Sequence, residues 1–342
     1  MRILIIGGTR FIGPYLIKNL SEAGYEVHIF HRGKTQTELP SGVQEILGDR
    51  DRLMTYVSTL RELKPDLVLD MMLSNEQQAQ DLMATFAGAT GRVVVVSSQD
   101  VYAAFGRVNG QEGGEVDPSL ITEDSPLRTK LYPRRGATPR AEDDPARSLD
   151  DYDKILVEQV IMNHAKLPGT ILRLPAIYGP GDFQHRMFIY LKRMLDGRPA
   201  ILVEEGVANW CWTHGYVENV VDALILAVTN EQASGRIYNV GEPFALSMTE
   251  RIGQIARVAD WHGRVITLPT ERMPEGGRWG IVAAQNVIVD SSRIRQELGY
   301  SERIGLEEAF QRTIAWESVN PPATIDPEMF DYEAEDKALA EL

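Results

Sequence analysis

Ile3-Leu4-Ile5-Ile6-Gly7-Gly8-Thr9-Arg10-Phe11-Ile12-Gly13 opens the chain and decides how the rest is read. The first four residues form a continuous apolar run, the pattern of a strand buried on both faces of a parallel sheet. Helical spacing follows from Phe11 to Ala23, with Phe11, Ile12, Tyr15, Leu16 and Leu20 as its apolar positions and Gly24 as its stop. Between strand and helix lie Gly7, Gly8 and Gly13. Glycines at such a junction let the backbone turn tightly and approach a pyrophosphate, which the helix N-terminus stabilises through its free N–H groups and dipole. Gly7, Thr9, Arg10, Phe11, Ile12 and Gly13 are therefore the candidate cofactor-loop residues, with a purely structural turn as the alternative.

Working outward, strand and helix alternate. Strand patterns occur at Val27–Phe30, Glu45–Leu47, Leu67–Leu69 and Val93–Val96, with helices expected at about 52–63 and 76–87. This strict alternation predicts an α/β, doubly wound parallel sheet. Residues 105–148 lose the pattern and read as an insertion, either a substrate loop or a solvated surface excursion. A helix is then expected over about 150–164, followed by a strand at Thr170–Leu174. The expected division is a binding domain over 1–175, a smaller substrate-binding cap over 176–320 partly intertwined with the sheet, and a loosely held acidic tail over 321–342.

Composition removes several function classes. The 342 residues are 43% hydrophobic and 25% charged, with net charge −14 and one cysteine, which excludes a disordered chain and a disulfide-built scaffold. No apolar run has the roughly 20 residues of a membrane span, and the opening run is too short for a signal peptide. The expectation is a cytoplasmic protein. The acidic balance disfavours a general nucleic-acid binder, whose affinity depends on cationic contacts. The six histidines have no paired metal-ligand spacing, so no metal site is expected.

A dinucleotide fold that prefers NAD carries an acid after its second strand for the ribose 2′-hydroxyl. Here that position reads His31-Arg32-Gly33-Lys34. Two cations without a carboxylate favour the 2′-phosphate of NADP, with NAD as the alternative, and Arg10 could join Arg32 and Lys34 around that phosphate.

Further segments extend the pattern: Gly48-Asp49-Arg50, Val95-Val96-Ser97-Ser98-Gln99-Asp100-Val101-Tyr102, Arg173-Leu174-Pro175-Ala176-Ile177-Tyr178-Gly179-Pro180-Gly181-Asp182, Tyr238-Asn239-Val240-Gly241 and Leu298-Gly299-Tyr300. As a set covering about 1–320 they resemble the extended short-chain dehydrogenase/reductases, the NAD-dependent epimerase/dehydratase group that acts largely on nucleotide sugars. The Gly-Gly-Thr-Arg-Phe-Ile-Gly form looks most like an atypical branch that includes the chloroplast stem-loop-binding proteins, which adds an RNA-binding protein as an alternative that the net charge of −14 disfavours. The resemblance implies a Rossmann doubly wound sheet with helices on both faces and a smaller C-terminal cap. It places Asp49 and Arg50 near the adenine, Pro175 near the nicotinamide and Ser98 at the catalytic hydroxyl position. It also implies a homodimer, with the helix of Tyr152 and Lys154 and the one at 76–87 forming a four-helix interface.

The family's chemistry needs a Tyr for proton work and a Lys four residues later that lowers its pKa and holds the nicotinamide ribose. Four residues is one helical turn, so both side chains share a face, and a phenol of ordinary pKa about 10 needs that help near neutrality. Here the segment reads Asp150-Asp151-Tyr152-Asp153-Lys154-Ile155-Leu156-Val157-Glu158. Glu158 and Lys154 fit the family's Lys-to-Glu spacing, which puts Asp150 where the Tyr belongs. The other register gives Tyr152 the Tyr role and leaves Leu156 at the Lys position. Three readings stay open: Tyr152 reaches the substrate oxygen despite its spacing, Asp150 serves as the base, or the site is degenerate and the protein is a non-catalytic NADP-binding sensor or scaffold. Gln99-Asp100 lacks one acid of the Asp-Glu pair of the family's sugar dehydratases, which favours epimerisation or reduction over dehydration. The insertion's Arg128, Lys130, Arg134, Arg135 and Arg140, with Arg186 and Arg193, could bind a nucleotide diphosphate or be neutralised by neighbouring acids. Trp210 and Trp212 read as core packing or as a platform for a base or sugar.

Overall fold

The computed structural model describes residues 1–35 and 37–342. Strands β1 (Arg2–Ile6), β2 (Glu26–His31), β3 (Gln44–Leu47), β4 (Leu67–Asp70), β5 (Arg92–Ser98), β6 (Gly169–Leu174), β7 (Ala176–Tyr178), β8 (Ala200–Glu204), β9 (His214–Tyr216), β10 (Ile237–Asn239) and β11 (Arg264–Leu268) alternate with the helices. The first-half helices are α1 (Ile12–Glu22), α2 (Val57–Glu62), α3 (Glu76–Phe86), α4 (Ala103–Val108) and α5 (Lys154–Met162). The second half adds α6 (Phe188–Leu195), α7 (Glu205–Ala208), α8 (Val217–Thr229), α9 (Met248–Val258), α10 (Ser292–Leu298), α11 (Leu306–Val319) and α12 (Tyr332–Ala340).

Seven strands form one sheet in the order β10-β6-β5-β4-β1-β2-β3, all parallel. The apolar run of β1 explains its central place, since Ile3, Leu4, Ile5 and Ile6 are fully buried. Successive side chains point to opposite faces. Ile3 and Ile5 join a core with Leu16, Ile17 and Leu20 of α1 and Val220 and Leu224 of α8. Leu4 and Ile6 join a second core with Leu82 of α3, Val93 and Val95 of β5 and Ile161 of α5. The chain runs outward from β1 to β3, then returns to β4 on the other side of β1. That reversal leaves a crevice beyond the carboxyl ends of β1 and β4, where open α/β sheets bind ligands.

The C-terminal half is threaded into this sheet, because β10 pairs with β6 through Ile237–Ile171, Tyr238–Leu172 and Asn239–Arg173. Two small parallel pairs, β8 with β11 and β7 with β9, lie outside it. The tail differs from the loose extension expected of its acidic composition. Its helix α12 places Glu335 on Arg193 at 2.7 Å and Arg198 at 3.5 Å, while Ala338 packs on Leu268 and Met273. The tail's carboxylates thus neutralise arginines of the cap. The expected helix over 52–63 is also interrupted: a 3-10 turn at Arg50–Tyr56, capped by Asp49, precedes α2.

Candidate active site

The glycine loop occupies the crevice. Gly7 and Gly8 adopt φ 90° and 87°, in the region that favours glycine. A Cβ on Gly7 would lie 2.5 Å from Met72 Cγ, and one on Gly13 would lie 2.0 Å from the Gly8 carbonyl oxygen. Gly7 thus leaves the turn open, and Gly13 allows α1 to approach the loop backbone. Phe11 precedes α1 at φ 48°, an uncommon conformation for a bulky residue, and its ring meets Phe183 edge-on at 6.4 Å. The Thr9 carbonyl accepts the Thr37 hydroxyl at 2.6 Å, and Ile12 packs partly buried against the core. These features fit a dinucleotide: a cradle that side chains would fill, at a helix N-terminus.

Arg10, Arg32 and Lys34 are all exposed around this loop and the end of β2. His31 is turned inward, its Nε2 2.8 Å from Glu45, so it does not join that cationic rim. Asp49 follows β3 and accepts the Asp51 N–H at 3.1 Å. Arg50 has a different place from the adenine-side role expected of it. It is buried, lies 2.8 Å from Asp70 and donates to the Gln78 carbonyl at 2.7 Å, because a buried carboxylate at the end of β4 requires a partner. Pro175 joins β6 to β7 at the carboxyl edge of the sheet, close against Gly215.

The second cluster depends on where α5 begins. The sequence suggested a helix from Asp150, but Arg147–Asp151 is a 3-10 turn, Tyr152 is extended (φ −66°, ψ 119°) and α5 starts at Lys154. Asp153 caps it, its carboxylate accepting the Ile155 N–H at 2.9 Å. Tyr152 and Lys154 are therefore not two residues apart on one helix, which would set them on different faces. The Tyr152 hydroxyl donates to Asp100 Oδ2 at 2.6 Å. Lys154 is buried and its Nζ donates to the carbonyls of Leu73 and, at 2.9 Å, Val96. Ser98 ends β5, and its hydroxyl accepts the Asp100 N–H at 3.2 Å. Burial, then the charge of Asp100 and its hydrogen bond, push the Tyr152 phenol up, a rise the Ser98 hydroxyl tempers. Burial lowers Lys154, against the opposing pull of Asp100 and Asp70.

Asp150 is not positioned as a base. It is buried in an ion pair with Arg140, its Oδ2 accepting the Arg140 N–H at 2.7 Å, with Arg147 3.8 Å away. The Arg140 backbone and side chain together hold its carboxyl below the ordinary carboxylate range. The other insertion arginines are committed to the same segment. Arg128 donates to the Asp100 carbonyl at 2.5 Å and lies 3.6 Å from Asp153, and Arg135 donates to the Asp150 carbonyl and to Asp151. Arg134 stacks over the Tyr152 ring, 4.7 Å from its centroid. Arg128, Arg135 and Arg140 thus brace the segment that carries Tyr152, while Lys130 is exposed. Arg186 and Arg193 are likewise paired, with Asp182 and Glu335.

Contacts that no sequence spacing revealed are those of Asp100 and Arg134 with Tyr152. Their positions lie far from Tyr152 in the chain, and no local signal marks them. Trp210 is buried and donates to the Gln285 carbonyl at 2.8 Å, a packing role, while Trp212 is half-buried against Phe105 and His214. Among the described residues, no group of three or more His, Cys, Asp or Glu side chains could hold a metal ion, and no helix is long and apolar enough to cross a membrane.

The chain is similar in sequence and fold to known proteins. The chain is 25% identical over 281 residues to 2′-dehydrokanamycin reductase of Streptomyces kanamyceticus, covering 79% of this chain and 70% of that one. It is 26% identical over 253 residues to the chloroplast stem-loop binding protein of 41 kDa b of Arabidopsis thaliana, covering 71% and 59%. Its fold is similar to that of MoeE5, solved in complex with UDP-glucuronic acid and NAD, at TM-score 0.67 and 22% identity over 94% of this chain and 100% of that one. The family model for the NAD dependent epimerase/dehydratase family matches residues 3–241, and the chain belongs to that family.

Proposed function

We propose that the protein is an NAD(P)-dependent oxidoreductase or epimerase acting on a hydroxyl or carbonyl carbon of a nucleotide-sugar-like substrate. The observation that carries this reading is the gathering of Ser98, Tyr152 and Lys154 beside the carboxyl end of β5 although the usual Tyr-to-Lys spacing is missing. When bound, a nicotinamide dinucleotide supplies the hydride donor or acceptor. Gly7, Gly8 and the N–H groups opening α1 hold the pyrophosphate. Asp49 serves the adenine side and Pro175 the nicotinamide side. Lys154 exchanges a carbonyl for the nicotinamide ribose, and Ser98 and Tyr152 hydrogen-bond the substrate oxygen. The relative named for 2′-dehydrokanamycin reduction and the neighbour solved with UDP-glucuronic acid and NAD support a sugar-derived substrate.

The exposed cations Arg10, Arg32 and Lys34 favour NADP over NAD, since guanidinium groups match phosphate geometry. The reading carries a cytoplasmic location and a small-molecule partner rather than nucleic acid. It also carries a homodimer through α3 and α5, whose solvent faces hold Gln77, Gln80 and Gln159; the molar mass in solution tests it. Fluorescence titration with NADPH and NADH, then nicotinamide absorbance with UDP-glucose, dTDP-glucose and UDP-glucuronic acid as probes, tests the function. Tighter NADPH binding and an absorbance change abolished in Lys154→Ala are expected. A second reading, an NADP-binding sensor, is favoured by one observation: Leu156 stands four residues after Tyr152, where the family's Lys is expected, and burial pushes the phenol up. Tight cofactor binding without turnover would select it.

A further inference from the structure

A phenol can take a proton from a substrate alcohol only if its own proton has somewhere to go or has already left. In this protein the usual route is absent, because Leu156 occupies the position four residues after Tyr152 and Lys154 is buried against two backbone carbonyls. The Tyr152 hydroxyl instead points at a carboxylate, Asp100 Oδ2, at 2.6 Å. Hydrogen bonds from a neutral hydroxyl to an ionised carboxylate fall in this short range. The second oxygen of Asp100 is buried and has no hydrogen-bond partner, so this carboxylate is not consumed by a competing ion pair.

We propose that Asp100 is the proton acceptor behind Tyr152, and that a Tyr152–Asp100 relay replaces the family's Tyr–Lys pair. The inference rests on the oxidoreductase reading above. In the oxidation direction the carbinol C–H bond breaks, its hydride passes to a nicotinamide acceptor and the carbinol becomes a carbonyl. The alcohol proton moves to Tyr152 Oη as the Tyr152 proton moves to Asp100 Oδ2. Reduction reverses each transfer, so charge and atoms balance. Asp100 acts only through Tyr152.

The groups facing this relay come from every packed element. Ser98 at the end of β5 donates no charge; Lys154 opens α5; Arg134 and Arg128 come from the insertion, over the Tyr152 ring and on the Asp100 carbonyl. Arg134 is the cation over the Tyr152 ring, while Arg128 donates to the Asp100 carbonyl and Lys154 to the Val96 carbonyl. A relay of this kind needs Asp100 as a carboxylate to accept the proton, so the rate of oxidation falls toward acid pH.

The test uses the full chain, with Asp100→Asn, Asp100→Glu and Tyr152→Phe. Without cofactor, carboxyl ¹³C NMR follows Asp100 directly, and Tyr152→Phe raises its midpoint because the hydrogen bond that stabilises the charged form is gone. With NADP⁺ and UDP-glucose, dTDP-glucose or UDP-glucuronic acid as the probe, Asp100→Asn lowers kcat by about 10²–10⁴-fold and removes the acid limb of the pH profile. Asp100→Glu restores the limb, and cofactor affinity is unchanged in all three. Asp100→Asn with wild-type kcat and an intact limb overturns the relay alone, as does an Asp100 midpoint indifferent to Tyr152→Phe. Binding of NADP⁺ without oxidation of any of the three probes by the wild type also overturns it while leaving the cofactor site standing. Failure to bind NADP⁺ removes the oxidoreductase reading itself.

Discussion

The two ends of the site were built under different constraints. At the carboxyl end of β1, backbone geometry does the work: a Cβ on Gly13 would sit 2.0 Å from the Gly8 oxygen, so few residues fit and the spacing is rigid. Beside β5, the parts are side chains on an extended segment, with Tyr152 outside the helix that carries Lys154. A long side chain can reach one place from several backbone positions, whereas a backbone cradle cannot be rearranged. The glycine end therefore has a recognisable spacing, while Ser98, Tyr152 and Lys154 come together without the family's Tyr-to-Lys spacing.

The buried carboxyls near each end offer the largest tests of that contrast. Glu158, below the proton-transfer end, is paired with Arg173 at 2.6 Å and accepts the Ser97 hydroxyl at 2.6 Å. Removing one member of such a pair strands the other, so Glu158→Ala should lower unfolding free energy by about 3–5 kcal/mol in denaturant titration. Glu317 on α11, near the Gly179–Asp182 segment that meets Phe11, is the opposite case. It is fully buried with no ion-pair or side-chain hydrogen-bond partner, and burial, then the charge of Asp182, push it up to about 8 against the opposing Met187 backbone N–H. A carboxyl raised in the folded state contributes stability below its unfolded pKa of about 4.3 and loses it as pH rises toward the folded value. Glu317→Gln should therefore be the more stable protein by about 3 kcal/mol near neutrality, the gap opening between roughly pH 4 and pH 8. A gap independent of pH would contradict the buried neutral acid.

Smaller effects discriminate at the cofactor end. Gly13→Ala should cost about 1–3 kcal/mol and abolish NADPH binding, because the clash is with backbone. Arg32→Ala should weaken NADPH binding about tenfold and leave NADH unchanged, since one exposed cation facing the 2′-phosphate contributes roughly 1 kcal/mol. Equal losses for both cofactors would place Arg32 elsewhere.

The parallel, doubly wound sheet was legible because β1, β4 and most of β5 are apolar runs buried inside the sheet. The start of α5 was not. Asp150, Asp151 and Asp153 are all adequate caps by type, and the choice of Asp153 is made by tertiary contacts: it accepts the Tyr132 N–H at 2.6 Å and lies 3.6 Å from Arg128. The docking of the tail was hidden for the same reason, since Glu335 meets Arg193 across 142 positions. Charge composition alone reports such a segment as solvated.

The most direct test of the central claim is a crystal structure with NADP⁺ bound, reading the distances from Lys154 Nζ and Tyr152 Oη to the nicotinamide riboside. A working site despite the lost spacing predicts Lys154 Nζ within about 3.2 Å of a ribose hydroxyl, with Tyr152 and Ser98 facing one position above the ring. Lys154 still held by the Leu73 and Val96 carbonyls, with the ribose bound by other side chains, would contradict it.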